Sequence, residues 1–162
     1  MSYPAARYLG DEGEISAVFR PARQEPELMI GSDTAVRYLA TGASTNGQFG
    51  LYRWDARPRT PGPSAHFHKT ISESFFILSG TIQLFNGQRW IHASAGDFLY
   101  VPEGGVHAFH NESDEPASML LLFAPGAPRE AYFEALAEKA AGRWFSDEQW
   151  TDLCIRHDNY FI

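Results

Sequence analysis

The sequence is short of sulfur. Its 162 residues include one cysteine, Cys154, which excludes a disulfide framework and a thiolate-rich zinc site. Positive charge is scarce too. Thirteen Lys and Arg stand against 20 Asp and Glu, for a formal net charge of −7, and no basic run overrides that balance. A chain that follows a phosphate backbone needs clustered cations, so no nucleic-acid partner is expected. Long apolar runs are missing, and no window approaches the length of a membrane span. The opening Met1-Ser2-Tyr3-Pro4 lacks the charged region and apolar stretch of a secretory leader. The expectation is a cytoplasmic protein with no membrane partner. Repeats, low-complexity tracts and long linkers are absent as well, which suits one compact domain with a full core.

What the chain does have is aromatic residues, 14% of the total, more than a plain sandwich core needs. Some of those rings are expected to line a pocket. Residues 1–34 read as an N-terminal arm with edge strands at 15–19 and 27–30. From residue 35 the pattern is mostly strand: 35–40, 49–54, 64–68, 74–78, 81–85, 88–92, 97–101, 106–110 and 117–123. Turn chemistry separates them, including Thr45-Asn46-Gly47, the proline-rich loop 57–63, Ser79-Gly80 and Asn86-Gly87, the last a signal for a type I′ hairpin. Short strands at this spacing predict an all-β, antiparallel sandwich or barrel. Residues 126–162 form a C-terminal helical extension. A helix over 129–141 follows Pro128 and presents Tyr132, Phe133, Leu136 and Ala140 on one stripe, as a cover over the β region. Ser146-Asp147-Glu148-Gln149 resembles a capping box for a second, shorter helix. The apolar end, Tyr160-Phe161-Ile162, is poorly suited to water.

The chemistry-bearing residues gather in two places. His66 and His68 stand two apart in a strand, so both imidazoles lie on one face and can converge on one ion. Glu73 stands five residues after His68 and joins them only if the chain turns between; it would then begin the next strand, facing inward with Phe75 and Ile77. His107 follows the Pro102-Glu103-Gly104-Gly105 turn, which can swing a strand back beside the first. Each has a plainer reading: a surface His-x-His coincidence, a solvated strand-end carboxylate, a satisfied core histidine. His92, His110 and His157 read as peripheral. Phe75, Ile77, Tyr100, Phe109 and Met119 are candidates to line the cavity and bind substrate, with simple core packing as the alternative for each.

The order and spacing of these residues resemble a known family. His66-Phe67-His68, four residues, Glu73, six residues and Gly80 match the first motif of the cupins. Gly96, five residues, Pro102-Glu103-Gly104, two residues, His107, three residues and Asn111 match the second. One position departs: the glycine expected six residues before the first histidine is Thr60, with Gly62 nearby. The resemblance covers residues 35–125. It implies a jelly-roll β-barrel with one divalent transition metal ion, Fe, Mn, Ni, Cu or Zn, held by His66, His68, Glu73 and His107. By the same likeness, a quercetinase-like dioxygenase acting on an aromatic or enolic small molecule is the leading function, with Glu73 both ligand and catalytic base. A Lewis-acid polyketide cyclase or isomerase and a non-catalytic small-molecule-binding cupin are the alternatives. A homodimer paired through sheet edges is expected.

Overall fold

The computed structural model describes residues 2–162. Eleven strands and two helices follow in order: β1 (Leu28–Ile30), β2 (Thr34–Ala40), β3 (Gly50–Ala56), β4 (His66–Phe67), β5 (Ser72–Ser79), β6 (Thr81–Phe85), β7 (Trp90–Ser94), β8 (Phe98–Val101), β9 (Ala108–His110), β10 (Ala117–Ala124), α1 (Glu130–Ala140), α2 (Asp147–Arg156) and β11 (Tyr160–Phe161). A six-stranded sheet runs β1-β2-β3-β10-β5-β8, a three-stranded sheet runs β7-β6-β9, and β11 pairs with β4. Every pairing is antiparallel. The fold is the expected antiparallel jelly-roll barrel with C-terminal helices.

Alternation builds the interior. Tyr52, Trp54 and Ala56 of β3, Phe75 and Ile77 of β5, and Met119, Leu121 and Phe123 of β10 are all buried. Their rings interlock edge to face: Tyr52 meets Phe123 and Phe133, and Trp54 meets Phe109 and Phe133, with centroids 5.1–5.9 Å apart, a geometry that adds to plain area burial. Phe133 comes from α1, so the helix completes the core. The Tyr52 hydroxyl ties down the start of α1 by donating to Glu130 Oε1 at 2.5 Å. The second helix opens on the capping box read from the sequence, with Ser146 and Gln149 exchanging side-chain and backbone bonds.

Two local expectations fail. Residues 15–19 form no strand; Ile15, Val18 and Phe19 are exposed and have no ladder to join. The Asn86-Gly87 turn is not a two-residue hairpin. Gly87 has a φ of +88°, but the Asn86 side chain accepts from the backbone of Gln88 and Arg89. That bonding stretches the loop to residues 86–89, and β7 begins at Trp90 opposite Phe85. The apolar C-terminus, ill-suited to water, finds a partner as strand β11 against β4. Thr60, in place of the motif glycine, is buried and bonds to the Arg57 carbonyl, while its own carbonyl accepts from Asn111. The tight approach falls at Gly62, where a Cβ would lie 1.6 Å from the Phe109 carbonyl oxygen.

Candidate metal centre

The site is assembled where β4 is stitched to the stretch before β9. His66 and His107 exchange backbone bonds, each N–H donating to the other's carbonyl at 3.0 and 2.9 Å. That bridge brings residues 41 positions apart side by side, as the glycine turn before His107 allows. His68 lies on the same face as His66, and Glu73 faces inward at the start of β5, directly opposite Val101 of β8. The result is a buried group in which His66, His68, Glu73 and His107 each offer one ligand atom within 4.8 Å of the others.

The backbone around the group selects which nitrogen faces the centre. His66 Nδ1 lies 2.9 Å from the Ser64 carbonyl, His68 Nδ1 2.6 Å from the Asp158 carbonyl, and His107 Nδ1 2.9 Å from the Gly105 carbonyl. A carbonyl can only accept, so each Nδ1 carries the proton and each Nε2 is directed away from the chain. Two of those Nε2 atoms, from His68 and His107, lie 3.0 and 2.9 Å from the same oxygen, Glu73 Oε2. Three imidazole nitrogens with oriented tautomers and one carboxylate form a donor set that fits a divalent transition ion. A spectator core histidine would have no reason to share this arrangement.

Burial and charge pull against each other here. Burial alone would raise the Glu73 carboxyl, but hydrogen bonds from His107 and His68 outweigh it and hold the group well below the usual carboxylate range. His107 is raised because its bond to Glu73 overcomes the burial that opposes its charge. His66, buried and beside His107, is pushed down to about 4. The group is therefore polarised around one carboxylate, with His66 neutral and its Nε2 lone pair free.

The cupin-domain family model matches residues 52–123, which include all four of these side chains. Over 88 residues the chain is 31% identical to an uncharacterised protein of Streptomyces coelicolor, covering 54% of this chain and 79% of that one. The fold superposes on a protein of Thermotoga maritima described as a predicted oxalate decarboxylase, with a TM-score of 0.60 and 17% identity over 67% of this chain and 99% of that one. The chain belongs to the cupin superfamily. This cupin is also 27% identical over 124 residues to quercetin 2,3-dioxygenase of Bacillus subtilis. That match covers 76% of the cupin but 36% of the enzyme, so the chain spans about a third of that relative's length.

Two of the four side chains, His66 and Glu73, open onto a cavity of about 280 Å³, lined also by Trp54, Phe109, Phe123, Tyr132, Phe133 and Trp150 among others. The predicted lining residues divide. Phe109 lines it. Phe75, Ile77 and Met119 are fully buried in the barrel interior and do not reach it, although the Phe75 ring lies 5.9 Å from that of His107. Tyr100 is a correction: it is 56% exposed, because Val101, not Tyr100, shares the face of Glu73 in the β5–β8 register. Of the other histidines, His92 bonds to Gln83 and His110 stacks near Trp90, away from the site.

Sequence reasoning missed the contribution of the C-terminus. Asp158 supplies the carbonyl that orients His68, and its carboxylate accepts from Lys69 N, Thr70 N and Thr70 Oγ1 at 3.0, 2.8 and 2.7 Å. Phe161 of β11 pairs with His66 and lays its ring 5.3 Å from that imidazole. Arg129 and the rings of α1 and α2 roof the cavity. The one available signal was the apolar end of the chain.

Proposed function

We propose that this cupin is a metal-dependent dioxygenase for an aromatic or enolic small molecule, with one divalent transition metal held by His66, His68, Glu73 and His107. The observation that carries the reading is a buried three-histidine, one-carboxylate group, two of whose members, His66 and Glu73, line an aromatic-walled cavity. The likeness to quercetin 2,3-dioxygenase supports it. When bound, the ion supplies Lewis acidity at a substrate oxygen and, if redox-active, electron transfer with dioxygen. The chain's own residues do the rest. Phe109, Phe123 and Trp54 exclude water and offer faces to a planar substrate. Both imidazole bonds of Glu73 fall on Oε2, which leaves Oε1 to take the proton of a bound enol. The backbone carbonyls at Ser64, Asp158 and Gly105 keep the imidazoles from turning.

The test is oxygen uptake by metal-loaded protein with a panel of flavonols and smaller enols. Uptake matched to substrate loss, and abolished in Glu73→Gln, is the expected result. Full turnover without oxygen would replace this reading with Lewis-acid cyclisation or isomerisation. Tight ligand retention without turnover would replace it with a binding role. We also propose a homodimer. Phe76, Leu78, Phe98 and Tyr100 lie exposed on the outer face of β5 and the edge strand β8, an apolar surface of the kind that pairs with a second copy.

A further inference from the structure

A cation is buried in the wall of the cavity with no carboxylate bound to it. Arg129 stands at the N-terminal end of α1 and is 3% exposed. Its guanidinium is packed against the rings of Phe123 and Tyr132, each at 4.9 Å, and Phe133 at 5.7 Å. Two of its N–H groups are used on the C-terminal tail: Nη1 donates to the His157 carbonyl at 2.5 Å and Nη2 to Asn159 Oδ1 at 3.1 Å. Both acceptors are neutral. Nε has no hydrogen-bond partner among the described residues, and a guanidinium carries further N–H groups beyond the two in use. Arg129 lines the same cavity as His66 and Glu73.

Such a residue is costly. A buried charge is ordinarily paired, and an unpaired one is strongly destabilising. Tethering the tail does not require a cation, because neutral donors could serve the same two oxygens. Two carboxylates, Glu73 and Asp158, attract Arg129 over a distance without bonding to it, and that of Asp158 is already engaged by Lys69 N, Thr70 N and Thr70 Oγ1. A metal ion at the four-residue group would draw on the Glu73 carboxylate, leaving the guanidinium only the more committed Asp158 and no carboxylate bonded to it.

The geometry points to Arg129 as a substrate-anchoring residue: it receives the carboxylate of a small aromatic acid whose ring lies among Trp54, Phe109 and Phe123. The cavity is at the small end of the range for ligand sites, which suits one or two rings. Guanidinium and carboxylate match in shape as well as charge, and the aromatic packing around Arg129 holds the fork ready. This inference deepens the proposed function by naming an acidic substrate class. It needs neither bound metal nor oxygen chemistry to be tested.

The experiment is a binding titration of the full chain, as purified and again after chelation, read by the fluorescence of Trp54 and Trp150 and by calorimetry. The probes are 2-naphthoate and its neutral analogue 2-naphthamide. Wild type is expected to bind the acid about tenfold to a hundredfold more tightly than the amide, the range of one charge-assisted contact, and to do so without metal. Arg129→Gln should bring the two affinities together. Arg129→Lys, which keeps the charge and loses the fork, should retain a smaller preference. Equal affinities in wild type, or no binding of the acid, overturn the inference even if Arg129→Gln fails to fold, as does a preference that survives in folded Arg129→Gln. An acid preference without oxygen uptake would leave the anchor standing and remove the dioxygenase; oxygen uptake with neutral enols and no acid preference would do the reverse.

Discussion

Replacing Asp158 by alanine removes three hydrogen bonds that no metal ligand makes directly. The carboxylate accepts from Lys69 N, Thr70 N and Thr70 Oγ1, pinning the turn after His68 to the tail. The residue sits at a φ of +59°, which a Cβ tolerates poorly and Asn tolerates better. Each bond is partly exposed and contributes at the low end of its range, so the loss should total about 2 kcal/mol. The more telling effect is indirect. The Asp158 carbonyl fixes His68 Nδ1 at 2.6 Å, and loosening that support should weaken metal binding by about tenfold to a hundredfold. Chelator competition measures the affinity, and thermal melting of the metal-free protein measures the stability. Asp158→Asn, which keeps an acceptor and the backbone conformation, should fall between wild type and alanine in both. If Asp158→Ala melts lower yet binds metal as tightly as wild type, the tail does not orient His68 and the reasoning fails.

Other perturbations follow from the same geometry. Burial holds His66 down at about 4 against 6.5 for a free imidazole, so the unfolded chain takes up that proton first as pH falls. The metal-free protein should therefore lose stability between pH 6.5 and 4, by roughly 3 kcal/mol at most for this group. Lowered Glu73 adds a loss in the same direction at the acid end. His66→Gln should flatten the upper part of that curve in a melting series, and an unchanged slope would count against a neutral His66. Gly62→Ala should cost at least about 3 kcal/mol, because a Cβ cannot share space with the Phe109 carbonyl; a variant that melts like wild type would refute the close approach. Light scattering should give a dimer for wild type and a monomer for Phe98→Asp, and a monomeric wild type would remove the proposed pairing face.

How much of this was legible in the sequence depends on the range of the interaction. His66 and His68 share a face by alternation alone, and Glu73 falls inward with Phe75 and Ile77, so short-range spacing carries the ligand geometry. The glycine turn before His107 signals a reversal, and the bridge to His66 follows. The capping box of α2 is local and was readable for the same reason. The failures are long-range or depend on one side chain. Tyr100 faces outward because the β5–β8 register pairs Glu73 with Val101, and composition cannot supply a register. Asn86 lengthens its own turn through its side chain. The pairing of β11 with β4 joins two-residue strands more than 90 positions apart, too short for any periodicity. Arg129 looks like an ordinary helix-start residue until the tail folds over it.

The central claim is that four side chains hold one metal ion, and elemental analysis of the purified protein tests it most directly. Wild type supplied with Fe, Mn, Ni, Cu and Zn should carry about one divalent transition ion per chain, and His68→Ala and His107→Ala, checked for folding by circular dichroism, should carry close to none. Folded wild type without stoichiometric metal, or folded variants that retain it, would contradict the account.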